Sequence, residues 1–123
     1  ESLTKPMPFY IGKPQPDDGK LKLIWDASYD FDAENVYYTV EISDDYSFEN
    51  PVVKAENLYV TEYTTDVLLE PGQYFIKVMA RNESGMEQSA FDYYLSNRNG
   101  RIYGVKCFYV MPDGSIEEDI YEE

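Results

Sequence analysis

Leu69-Glu70-Pro71-Gly72-Gln73-Tyr74-Phe75-Ile76-Lys77-Val78-Met79-Ala80-Arg81-Asn82-Glu83-Ser84-Gly85 is the stretch that decides the fold. Tyr74, Ile76, Val78 and Ala80 alternate with Phe75, Lys77, Met79 and Arg81. A period of two is the mark of a half-buried antiparallel strand. Pro71-Gly72 opens the run and Asn82 to Gly85 closes it, both with turn chemistry. Phe75 and Met79 sit in the outward set, so something is expected to cover part of that side.

The same alternation recurs outward from this run. Leu21, Leu23 and Trp25 interleave with Lys20, Lys22 and Ile24, and Val36, Tyr38, Val40 and Ile42 with Tyr37, Thr39 and Glu41. Weaker strands fit at Phe9 to Ile11, Val52 to Ala55, Glu62 to Val67 and Ser89 to Leu95. Pro8 and Pro14 mark the first of these as an edge strand. Turns separate them at Pro14 to Gly19, Asp26 to Asn35, Asp44-Asp45 and Glu49 to Pro51. Seven strands by about residue 95, with no helix needed, predict an all-β antiparallel sandwich. Beyond it, Arg101 to Met111 and Ser115 to Tyr121 flank the turn Pro112-Asp113-Gly114. The expected division is a sandwich over residues 1–96 and a C-terminal β-hairpin over 97–123, packed on it.

These residues resemble a fibronectin type III domain, an immunoglobulin-like sandwich. The match rests on Leu21-x-Leu23-x-Trp25, on Tyr38-x-Val40-x-Ile42, and on the run from Leu69 to Gly85 quoted above. The resemblance covers roughly residues 7 to 95. It implies a core tryptophan at Trp25, a corner bond from Tyr74 to the turn before its strand, and no catalytic residues. A narrower resemblance rests on Trp25 to Asp32, Gly72 to Phe75, Ala90 to Tyr94 and Tyr103 to Val110. These segments look like the C-terminal module of bacterial proteins related to spore coat protein H, whose kinase-like domain lies upstream. That implies an accessory piece of an exported or surface protein, extracellular or at the cell surface, without phosphotransfer machinery.

Composition points the same way. The chain has 123 residues, 10 Lys plus Arg against 24 Asp plus Glu, a net charge of −14, no histidine and one cysteine. Without histidine the Ser-His-Asp and Cys-His layouts and imidazole zinc sites are excluded. One cysteine makes neither an internal disulfide nor a CxxC pair. So acidic a chain is a poor ligand for phosphate backbones, and nucleic acid is not an expected partner. The longest apolar run, Cys107 to Met111, is five residues, so no membrane insertion is expected. A start at Glu1 rather than Met suggests a mature product or a piece of something longer.

Two constellations carry chemistry. Asp26, Asp30, Asp32 and Glu34 place four carboxylates within nine residues, a density suited to calcium. An EF-hand is excluded: Asn35 stands where its glycine belongs, and Glu41 is carried about 17 Å off along a strand, at about 3.3 Å per residue. A loop calcium site remains, against the favoured reading of a solvated acidic turn. The 13 tyrosines form the second constellation. Tyr29, Phe31, Tyr37, Tyr59 and Tyr63 suit a glycan platform, but the composition suits strands and protein interfaces better. Cys107 reads as a small buried hydrophobe, Asn82-Glu83-Ser84 as a structural turn rather than a glycosylation sequon, and the terminal acids as a solvated strand end. The expectation is a non-catalytic accessory module that docks a protein partner or a neighbouring domain through Tyr103, Phe108 and Tyr109, not an enzyme. A calcium- or carbohydrate-binding module centred on Asp26 to Glu34 is the alternative; no other cofactor is implied.

Overall fold

A computed structural model describes residues 6–30, 35–96 and 98–118. The described chain is all-β, without a helix, and its strands pair antiparallel. Among the described residues no helix is long and apolar enough to cross a membrane. One sheet orders β1 (Gln15–Asp17), β2 (Lys20–Ile24) and β5 (Glu62–Thr64). The larger one holds β3 (Val36–Ser43), β4 (Val53–Leu58), β6 (Gly72–Asn82), β7 (Glu87–Ser89), β10 (Val105–Val110) and β11 (Ile116–Glu117). β8 (Tyr93–Ser96) and β9 (Gly100–Tyr103) make a separate two-stranded ribbon.

The arrangement is sandwich-like. Leu21, Leu23 and Trp25 from the small sheet share one core with Tyr38, Val40 and Ile42 of β3 and Tyr74, Ile76, Val78 and Ala80 of β6. These are the inward sets expected from the alternation. Trp25 is core, its ring 5.6 Å from that of Tyr38. Tyr74 Oη donates to the Glu70 carbonyl at 2.7 Å, the corner bond the resemblance implied. Ser28 N–H donates to Tyr38 Oη at 2.8 Å and ties the loop after Trp25 to the core. Burial pushes both phenols above their ordinary 10.0; around Tyr74, Asp44 and Glu70 add to the rise.

Several local expectations change. Pro14 to Gly19 is a hairpin rather than a simple turn: Asp18 and Gly19 both take positive φ, 50° and 83°, between β1 and β2. Asp-Gly is the pair such a two-residue turn favours. Phe9 to Ile11 forms only the bridge Ile11↔Trp25, and it is not an edge. Gly12 N–H reaches the Ile24 carbonyl on one side, and Phe91 N–H reaches the Phe9 carbonyl on the other. The segment therefore ties the small sheet to the chain just beyond β7.

The main correction concerns the C-terminal region. Arg101 to Met111 is not one strand: it breaks at Gly104, where φ is +80° and an added Cβ would lie 3.1 Å from that of Ser89. Beyond that break, Val105–Val110 pairs with Lys77 through Gly72 of β6, inside the large sheet. The 96/97 boundary thus separates β10 from the large sheet in which it pairs. β7 holds the rest of the same edge, with Ser89 opposite Met79 and Ala90 N–H bonded to the Val78 carbonyl. Ala90 stands opposite Val78 and Val105 opposite Lys77. Two pieces, β7 and β10, thus share one edge of β6, and residues 91–104 leave and return at a single step of its register.

Candidate functional site

The excursion is fastened where it begins and ends. Gly104 N–H donates to the Asp92 carbonyl at 2.7 Å, closing its neck. Asp92 Oδ1 accepts Ile11 N–H at 2.8 Å, and its Oδ2 lies 3.9 Å from Lys106 Nζ. Lys106 also meets Glu118 at 3.2 Å, so the segment after β11 is held at the same place.

Alternation gives the ribbon two unlike faces. Tyr94 turns inward and sets its ring edge-on to Phe75 at 4.9 Å, while Tyr46 meets Phe75 from the β3–β4 loop at 5.7 Å. Phe75, only 3 % exposed, is thereby covered on the outer side of the large sheet, outside the main core. This is the cover its outward position called for. The outer end of the ribbon is held too: Ser96 Oγ accepts the N–H groups of Arg98 and Asn99, and Asn99 Nδ2 donates to Tyr46 Oη.

The opposite face is open. Tyr93, Leu95 and Tyr103 are 50, 65 and 70 % exposed. Tyr93 pairs with Tyr103 and Leu95 with Arg101. The Arg101 guanidinium lies over the Tyr93 ring at 4.9 Å, a cation–π contact. Phe91, also exposed, packs edge-on against exposed Tyr10 at 6.1 Å. Tyr93, Leu95 and Tyr103 thus form an exposed strip on a ribbon held at both ends, with the Phe91–Tyr10 pair just before it in the chain.

Comparison with family models, curated proteins and solved structures returns no match.

Of the three residues expected to make contact, one is available. Tyr103 is exposed, but Phe108 is 0 % exposed, stacked on Tyr74 at 5.7 Å in the core. It faces inward because β10 belongs to the sheet. Tyr109 is half-buried, its Oη accepting from Gln73 Nε2 at 3.0 Å. Tyr93, Leu95, Phe91 and Arg101 escaped the sequence reading. Phe91, Tyr93 and Leu95 do alternate, but the pattern predicts a sandwich strand over Ser89 to Leu95, and one face of any such strand is covered.

Asp26 is exposed, and Asp30 Oδ1 accepts from Asn82 Nδ2 at 2.8 Å; Asp32 and Glu34, like Phe31, lie outside the described residues. No group of three potential metal ligands occurs among the described residues. Asn82 is 2 % exposed, with its Oδ1 accepting Met86 N–H at 2.9 Å, so its amide is occupied in the turn. Tyr37 and Tyr59 meet at 76° and 5.0 Å, an edge-to-face pair rather than a coplanar sugar platform; Tyr63 packs against the core and Tyr29 is exposed. Cys107 is half-buried, its Sγ 3.3 Å from Gln73 Nε2, while Lys106 is engaged with Asp92 and Glu118. A cleft of about 290 Å³ opens between the β1–β2 turn and the β10–β11 turn, lined by Leu21, Leu69, Val110 and Ile116 among others.

Proposed function

We propose that this chain is a fibronectin type III-like, non-catalytic interaction module, and that it docks a protein partner or neighbouring domain through the outer face of the β8–β9 ribbon. One observation carries the reading. The edge that β7 and β10 share along β6 is interrupted by a braced excursion whose outward side chains are Tyr93, Leu95, Tyr103 and Arg101. The fold does not need these side chains, since Tyr94 on the other face does the covering. Exposed aromatics with an arginine are the composition enriched where proteins meet. The tilted rings favour a protein over a sugar: Tyr93 and Tyr103 lie at 53° and Arg101 already occupies one face of Tyr93. The narrower resemblance would put such a module in a bacterial surface protein, beside a kinase-like domain.

The test is site-specific photocrosslinking in the parent protein in its native cell. A photoreactive residue at position 95 or 103 is expected to trap a neighbour. The same residue at exposed Glu56, on edge strand β4, is the control. Equal trapping at all three positions, or none at 95 and 103, refutes the assignment.

A further inference from the structure

Resting on that assignment, we infer that the strip receives an acidic peptide segment: extended, about six residues long, with carboxylates beside apolar side chains. Charge complementarity carries the inference. Tyr93–Tyr103 holds Arg98 and Arg101 and no acid, leaving eight basic residues against 24 acidic ones elsewhere, a net of −16. Two of the chain's three arginines are thus on one 11-residue ribbon. Neither makes a salt bridge among the described residues, whereas Lys22, Lys54 and Lys106 do.

Two carboxylates lie at the neck and both are engaged: Asp92 by Ile11 N–H and Lys106, and Glu118 by Lys106. Asp45, in the loop that Asn99 contacts, turns its carboxylate onto Ser47, with Oδ2 accepting Ser47 Oγ at 2.6 Å. At physiological ionic strength the Debye length is about 8 Å, so distant acids count for little against the arginine facing the ligand. Arg101 is oriented by the Tyr93 ring, and a guanidinium so held presents a fork that fits a carboxylate. Tyr103 and Leu95 would then contact the apolar side chains between the acids.

The experiment pans a random 12-residue peptide library against the intact protein and against a variant in which Asn-Gly replaces Tyr93–Tyr103. The Gly104 N–H to Asp92 carbonyl bond has the spacing that closes a two-residue turn, so the shortened neck keeps it. Peptides retained by the intact protein alone are expected to carry at least two Asp or Glu around an aromatic or aliphatic residue. Their affinity is expected to fall about ten-fold in Arg101→Gln and to weaken with salt. Ribbon-dependent peptides without acidic enrichment overturn the acidic partner but keep the contact surface. Absence of any ribbon-dependent peptide overturns both. Concentration-dependent self-association of the intact protein, lost in the shortened variant, makes a second copy the occupant and also overturns the acidic segment.

Discussion

Val105–Val110 and Tyr93–Tyr103 are neighbours in sequence and both carry aromatic residues, yet the molecule uses them in opposite ways. The first inserts Phe108 into the core against Tyr74 and pairs with six residues of β6. The second lies outside that sheet, covers Phe75 with one ring and leaves three large side chains open. What separates them is the register at Ala90 and Val105, where pairing along the edge of β6 pauses and resumes. An aromatic-rich strand is therefore core or contact according to what lies on its two faces, and its residues alone do not say which.

The sharpest way to break the contrast is removal of residues 97–123. This strips Phe108, Val105 and Ile116 from the interior, and circular dichroism is expected to show no cooperative melt. Replacing Tyr93–Tyr103 with Asn-Gly should preserve a cooperative melt, because the sheet it leaves is continuous. If the first variant folds and the second does not, the two regions have been assigned the wrong way round.

Point changes grade the same contrast. Phe108→Ala is expected to cost about 3–5 kcal/mol in denaturant unfolding. Phe75→Ala should cost about 3 kcal/mol in the intact chain and markedly less once the ribbon is excised, because its cover is already gone. Equal costs in the two backgrounds would show that the ribbon does not shelter Phe75. Tyr74→Phe removes the bond to Glu70, at about 1 kcal/mol near neutral pH.

Tyr74→Phe also has a pH signature. The raised phenol pKa of Tyr74 means the folded state holds its proton more tightly than the unfolded chain. That stability is complete below the ordinary 10.0 and is lost as pH rises through the folded value. Tyr38 acts in the same direction, so Tyr74→Phe should make the alkaline fall in melting temperature shallower without abolishing it. At the small end, Tyr103→Ser and Leu95→Ser should each move stability by no more than about 0.5 kcal/mol. A larger loss would turn the strip from a contact surface into part of the fold.

The amino-acid sequence by itself determined β2, β3 and β6 and which of their residues share a face. It marked Trp25, Tyr38 and the Tyr74 to Ala80 set as interior, and Asn82 and Gly85 as turn residues. It also signalled that Phe75 needed a cover. Those features are local: a period of two, a turn dipeptide or a buried ring is written within a few residues. Only the tertiary structure decided that Ser89 to Leu95 divides between two sheets, that Gly104 begins a return into the sandwich, and that Phe108 is covered while Tyr103 is open. Those outcomes depend on pairings between Val105–Val110 and Gly72–Lys77, about thirty residues apart, and on Tyr94 meeting Phe75 across the outer face. A strand's pattern separates its two faces, but the partner supplied by distant chain decides which face water keeps.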